Sequence, residues 1–359
     1  MAPLTRFRAT MDHIPSQYAR EYYEQRASVP GTLIITEATF ISPRAGGYNN
    51  VPGIWNDEQV QAWKEIVDAV HAKGSFIYLQ LWALGRAAGA EQAAKNLQRE
   101  GPFPVVSSSG IPISSEYEEP VPIAEEEVPG WVEEYARATR NAMKAGFDGV
   151  EIHGANGYLV DQFWQDVCNI RTDKYGGSIE NRARFGLEVT RAVIGACGGD
   201  AKKVGMRLSP WSTFQSMHMK DPIPQFTHII RELKALGLAY LHLVESRTGG
   251  GSAPTAIFES VTGTNDKLIE VWGSELPIIL AGGFDAEKGL KAVGEVYTGE
   301  NICIAYGRFF ISNPDLPFRI REGIALQKYD RKTFYTPEAP EGFIDYPFCE
   351  QFVGQGSKL

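Results

Sequence analysis

D-G-V-E-I-H-G-A-N-G-Y-L-V-D-Q-F, Asp148 to Phe163, is the stretch whose reading decides the fold. Gly149–His153 is a short run with apolar Val150 and Ile152, and it leaves a helix-like segment that ends at Ala145 and Gly146. That pattern reads as a buried strand following a helix C-cap. Gly154 and Gly157 then space out His153, Asn156 and Tyr158, and two such glycines permit a tight, backbone-close loop. A histidine, an amide and a phenol are thereby crowded at the C-terminal end of a strand, where α/β barrels carry their chemistry. His and Asn can both donate hydrogen bonds to one substrate oxygen and stabilise charge developing there. A tyrosine hydroxyl, with an ordinary pKa of about 10, is protonated at neutral pH and can give up a proton.

Outward from this stretch, strand-like and helix-like segments alternate. Strands are expected over Thr32–Glu37, Phe76–Leu81, Val204–Leu208, Tyr240–Val244, Pro277–Ala281 and Asn301–Tyr306, each apolar and rich in β-branched or aromatic residues. Helices are expected over Asn56–Lys73 with Asn56 as N-cap, and over Trp131–Lys144, Arg182–Cys197, Pro224–Leu236 and Glu287–Val296, with a short helical piece at Leu268–Val271. Met1–Leu4 reads as the end of a further strand. Seven strands plus this fragment, alternating with helices, argue for a (β/α)8 TIM barrel. Residues 1–359 are read as one domain, with Pro/Gly/Ser-rich excursions at 85–128 and 249–264 that act as lids.

Composition narrows the function. The 359 residues carry a formal net charge of -9 and a pI near 5.3, with no long basic run, so neither nucleic acid nor an anionic membrane is an expected partner. Cys168, Cys197, Cys303 and Cys349 are far apart, which points to no zinc site and no disulfide framework; Cys197 and Cys303 read as small core residues. No apolar run is long enough to span a membrane and no signal peptide is recognisable. Ser357, Lys358 and Leu359 form a peroxisomal import tripeptide, so the expected location is the peroxisome or else the cytoplasm.

In a barrel all strand C-termini meet at one mouth. The last two strands end in Gly282 and Gly283 and in Gly307 and Arg308. Glycine lets backbone N–H groups approach phosphate oxygens, and arginine adds a charge-assisted bond, so a phosphate site is expected there. Thr5, Gln80 and Arg207 add polar groups that can hold a planar, hydrogen-bonding ring, beside which Arg207 favours negative charge.

With these residues in place, the chain resembles the Old Yellow Enzyme family of FMN-dependent enone reductases, in particular its fungal branch that includes chanoclavine-aldehyde reductases. The resemblance rests on A-P-L-T-R (Ala2–Arg6), G-Y-N-N-V-P-G-I-W (Gly47–Trp55), Q-L-W (Gln80–Trp82), H-G-A-N-G-Y-L (His153–Leu159), R-T-D-K-Y-G-G-S-I-E-N-R-A-R-F (Arg171–Phe185), A-G-G-F (Ala281–Phe284) and G-R-F-F-I-S-N-P-D-L (Gly307–Leu316). It implies that His153 and Asn156 hold the carbonyl of an α,β-unsaturated aldehyde or ketone and that Tyr158 protonates its α-carbon. It also implies FMN contacts from Pro3, Thr5, Ala38, Gln80, Arg207, Gly282, Gly283, Gly307 and Arg308, and a substrate pocket lined by Tyr335, Tyr48 and Trp82. NADPH is the implied reductant, no metal is implied, and the protein is expected to be a monomer or homodimer. Family members carry a segment before A-P-L-T-R that this chain lacks, so the first strand reads as truncated. The alternatives are an isomerase using the same flavin, a catalytically impaired flavin-binding paralogue, and a flavin-free barrel lyase that uses the phosphate site for substrate.

Overall fold

A computed structural model describes residues 1–246, 263–299 and 301–356. Helix α1 (Gln17–Arg26) precedes strands β1 (Leu33–Ile35) and β2 (Thr39–Phe40). Helix α2 (Asp57–Ala72) begins at Asn56, whose side chain accepts from the Gln59 N–H at 2.9 Å, and it buries Val60, Trp63, Ile66, Val67 and Val70. That is the N-cap and the apolar face the spacing predicts. Strand β3 (Phe76–Trp82) follows, then helix α3 (Glu91–Glu100) and the short strands β4 (Val106–Ser107) and β5 (Val121–Pro122). Helix α4 (Val128–Ala145) ends at Gly146, whose φ of 94° supplies the left-handed cap that releases the chain into β6 (Gly149–Gly154).

After β6 come helices α5 (Leu159–Trp164) and α6 (Ile179–Ala196), strand β7 (Val204–Leu208), helix α7 (Ile223–Leu236) and strand β8 (Tyr240–Val244). Helix α8 (Asp266–Trp272), strand β9 (Ile278–Ala281), helix α9 (Ala286–Lys291), strand β10 (Ile302–Ala305) and helix α10 (Arg308–Ser312) complete the series. The strands pair in parallel in the order β1-β3-β6-β7-β8-β9-β10, with β2 extending the edge of β3. Backbone bonds from the first residues connect the two ends of that order. Met1 O accepts from Ile35 N at 3.1 Å, and Ala2 N donates to Tyr306 O at 3.0 Å, just past β10. The strand fragment expected at Met1–Leu4 is thus two residues of backbone bonding between β1 and β10. Val150 and Ile152 are fully buried against the surrounding helices, as their alternation requires.

Three expectations need correction. The excursion at 85–128 is not loose throughout: α3 and the parallel β4–β5 pair lie inside it. The only buried apolar side chains of α3 are Ala93, Ala94 and Leu97, a face too small to stand out in the sequence. The helix expected at Glu287–Val296 is α9, capped by the Asp285 side chain, followed by a π-turn over Ala292–Val296. Cys303 is exposed, not a core residue: one edge of β10 pairs with β9, and among the described residues the other receives only the Ala2 bond at Tyr306. The excursion at 249–264 falls almost wholly outside the described residues, as do Ser357, Lys358 and Leu359. Among the described residues no helix is long and apolar enough to cross a membrane, and no cluster of His, Cys, Asp or Glu could hold a metal ion.

Candidate active site

The strand C-termini open into one cavity of about 630 Å³. Its size is that of a small-molecule or cofactor site. Parallel register sets the floor. Gln80 on β3 stands beside Glu151 on β6, His153 on β6 beside Arg207 on β7, and Arg207 beside His242 on β8. All the residues singled out from the sequence line this cavity: Pro3 and Thr5 from the first segment, Ala38 after β1, Gln80 and Trp82 on β3, Tyr48, His153, Asn156 and Tyr158, Arg207, Gly282 and Gly283 after β9, Gly307 and Arg308 after β10, and Tyr335.

His153 is buried, and the Ala155 N–H donates to its Nδ1 at 3.3 Å. In a neutral ring this leaves the proton on Nε2. Burial, followed by the charge of Arg207, holds its pKa well below 6.5. His153 is therefore a neutral donor. The Tyr158 ring lies edge-on to it, with centroids 4.9 Å apart, and edge-on to Trp82 at 4.8 Å. Burial, then Tyr48 and Tyr335, pushes the Tyr158 pKa well above 10, so its hydroxyl keeps its proton.

Asn156 sits between them with φ 56°, a left-handed conformation that asparagine tolerates. Its backbone N–H donates to Ser209 Oγ at 2.6 Å, and its carboxamide has no hydrogen-bond partner among the described residues. The loop is held from below. Asp161 Oδ2 accepts from Gly157 N at 2.9 Å, and Gln162 Nε2 donates to Gly157 O at 2.7 Å and to Leu84 O at 2.9 Å.

Gly157 itself is required twice over: its φ is 75°, and a Cβ there would lie 2.7 Å from Met217 Cγ. Gly157→Ala is expected to lower the unfolding free energy by about 1–3 kcal/mol. Gly177→Ala, at φ 80° with nothing near, is expected to cost less. Denaturant unfolding of the two variants checks this, and equal losses would remove the crowding argument.

The far side of the cavity suits a phosphate. Gly283 has φ 77° with open space where a Cβ would stand, so its backbone is accessible. Arg308 forms no ion pair among the described residues; its guanidinium rests 5.4 Å from the Tyr329 ring centroid. Between this end and His153, the polar groups of Thr5, Gln80 and Arg207 are set for a flat heterocycle.

Sequence reading missed several lining residues: Phe7, Trp211, Phe214, Glu245, Arg331 and Phe334. Glu245 immediately follows β8 and the strand-end rule could have found it. Trp211 and Phe214 lie on the segment after β7, and Arg331 and Phe334 are brought in by tertiary bonds. Arg8 donates to the carbonyls of Phe334 at 2.9 Å and Thr333 at 2.8 Å, which ties the C-terminal segment carrying Arg331–Tyr335 to the first segment at the mouth. Phe7 packs edge-on against Tyr335 at 5.6 Å.

Residues 1–327 match the family described as NADH:flavin oxidoreductase / NADH oxidase. The chain belongs to that family. It is a flavin oxidoreductase of the Old Yellow Enzyme type, and FMN is the group that the ring and phosphate ends of its cavity fit. The chain is 54% identical to a chanoclavine-I aldehyde reductase (fgaOx3) of Penicillium roqueforti, covering 98% of this chain and 92% of that one. It is 51% identical to a "probable inactive dehydrogenase" (easA) of Claviceps fusiformis, over 99% and 92% of the two chains. Among solved structures it is similar to Old Yellow Enzyme from Pichia sp. AKU4542, with TM-score 0.87, 40% identity, and 98% and 89% of the chains covered. At this similarity the barrel is shared.

Proposed function

We propose that the protein is an NADPH-dependent ene-reductase that saturates the alkene of an α,β-unsaturated aldehyde or ketone. Bound FMN supplies the chemistry of hydride transfer, from the nicotinamide and then to the β-carbon. The protein's own residues do the rest. His153 Nε2–H and the Asn156 carboxamide donate to the carbonyl oxygen, where negative charge accumulates as the β-carbon is attacked. Tyr158 gives its proton to the α-carbon. Thr5, Gln80 and Arg207, with Pro3 and Ala38, orient the cofactor ring, and Gly282, Gly283, Gly307 and Arg308 hold its phosphate. Tyr48, Trp82 and Tyr335 frame the substrate.

The observation that carries this reading is the pairing of a neutral, proton-bearing imidazole with a protonated phenol, rings 4.9 Å apart, on one cavity wall. It also favours reduction over isomerisation, because a proton donor stands ready to complete the saturated product. The family is described with NADH as donor; a relative from Aspergillus flavus, 51% identical, is described as NADP-dependent, which supports NADPH here.

Isotope labelling tests it. With 4-deuterated NADPH in ordinary water, the deuterium should appear at the β-carbon of the saturated product; with unlabelled NADPH in deuterium oxide, one should appear at the α-carbon. An allylic alcohol as product, or recovered alkene with a shifted double bond, would overturn the assignment. The proton states make a second prediction. His153 stays neutral at any pH above its lowered pKa, and Tyr158 stays protonated at any pH below its raised one. The rate of the alkene-reducing half-reaction should therefore be flat from pH 6.5 to 10, with no inflection from either group. A stopped-flow profile that falls tenfold across that window contradicts the assigned states.

For location, the import tripeptide at Ser357–Leu359 supports a peroxisomal address. A fusion with a free C-terminus that stays diffuse in fungal cells would remove that part of the reading.

A further inference from the structure

Below the cavity floor lies a buried polar group that the reaction does not use directly. Glu151 has no exposed surface, and both of its oxygens are engaged. Gln80 Nε2 donates to Oε1 at 2.7 Å, and His242 Nδ1 donates to Oε2 at 2.7 Å. His242 is equally buried, and its Nε2 has no partner among the described residues. Of these three, Gln80 faces the cavity; Arg207, close enough to act electrostatically on Glu151, faces it too.

A buried carboxylate without compensation is expensive, so this one must be ionised against Arg207 or not ionised at all. Burial pulls its pKa up; the hydrogen bonds from His242 and Gln80 and the charge of Arg207 pull it down, and the net is below the ordinary glutamate value. Burial keeps His242 below its ordinary value, hence neutral, with Nδ1 as donor. Glu151 is then a negative carboxylate on which the Arg207 guanidinium acts electrostatically.

We propose that Glu151 is a positioning residue for the cofactor: as an acceptor it compels the N–H end of the Gln80 amide to point down and so turns the amide carbonyl to the cavity, while its charge offsets that of Arg207. This rests on FMN occupying the cavity. An ionised carboxylate can only accept, so it fixes which end of a glutamine it meets. Replacing it by glutamine lets the Gln80 amide sit either way round. A negative charge under the floor also disfavours the additional negative charge of a reduced ring, so its removal makes the bound cofactor easier to reduce.

The test compares the FMN-loaded protein with its E151Q variant. Two measurements are made, the two-electron reduction potential against a reference dye and the FMN affinity of the apoprotein by fluorescence titration. E151Q is expected to raise the reduction equilibrium constant at least tenfold, about 30 mV for two electrons, and to weaken FMN binding at least tenfold. In a Q80A background the affinity effect of E151Q should vanish and the potential effect remain. A residue that only fills the core would leave the potential where it is. Should E151Q fail to fold, E151D carries the test: it keeps the charge and shortens the reach to Gln80, so affinity should fall tenfold with the potential unchanged, and an unchanged affinity overturns the proposal. A wild-type protein that takes up no FMN overturns the cofactor reading and this inference with it; FMN uptake beside an E151Q variant unaltered in both measurements overturns this inference alone.

Discussion

Tyr158→Phe is expected to slow the alkene-reducing half-reaction by roughly a hundredfold or more, the range in which a positioned general acid contributes, and to leave cofactor reduction by the nicotinamide unchanged. The hydroxyl is the only thing removed. The ring stays edge-on to His153 and to Trp82, so the cavity wall keeps its shape. Burial holds the Tyr158 proton in place until a carbanion-like α-carbon is there to take it. Rapid mixing of each half-reaction separately checks this. Equal losses in both halves would place Tyr158 in nicotinamide or flavin binding instead, and an unchanged alkene half would mean that water or another group supplies the proton.

The second large effect is expected at the carbonyl oxygen. Asn156→Asp keeps a side chain that tolerates the left-handed backbone at φ 56°, but replaces a donor by an acceptor that repels the developing charge. His153→Ala removes the Nε2–H. Each is expected to lower the rate of alkene reduction by about 10²–10³, or about 2.7–4 kcal/mol, the loss seen when one oxyanion donor is deleted. The two residues act on one oxygen, so the double variant should lose less than the sum. Phenolic ligands that mimic the charged oxygen should bind both variants more weakly. If N156D kept its rate and such ligands bound as before, Asn156 would face away from the reacting carbonyl.

Much of this is legible in the sequence. The run Gly149–His153 declared a buried strand because Val150 and Ile152 share a face, and the glycines after it declared a tight loop. In a closed parallel barrel that is enough to send His153, Asn156 and Tyr158 to the mouth. Glu151 was passed over for the same reason. Alternation makes the residue between two apolar neighbours look solvent-facing, but in a barrel the opposite face looks into the interior, where Gln80 and His242 meet it. Helix α3 is hidden in the sequence because two of its four buried residues are alanines and a third is Asn96. Tyr335 is reached from the sequence only through the family resemblance, and Phe334 is placed by the bonds of Arg6 and Arg8 to its carbonyl more than three hundred residues away, which no local pattern encodes.

The 51% identity to a protein described as an inactive dehydrogenase makes turnover the central question. Here His153, Asn156, Tyr158 and both ends of the cofactor cavity are together in one chain. Purified protein mixed anaerobically with FMN and NADPH answers it most directly. The yellow absorbance should bleach, and then return when an α,β-unsaturated aldehyde is added in the absence of oxygen. A protein that stays colourless after FMN addition, or one that bleaches and remains bleached across a panel of enals and enones, contradicts the account.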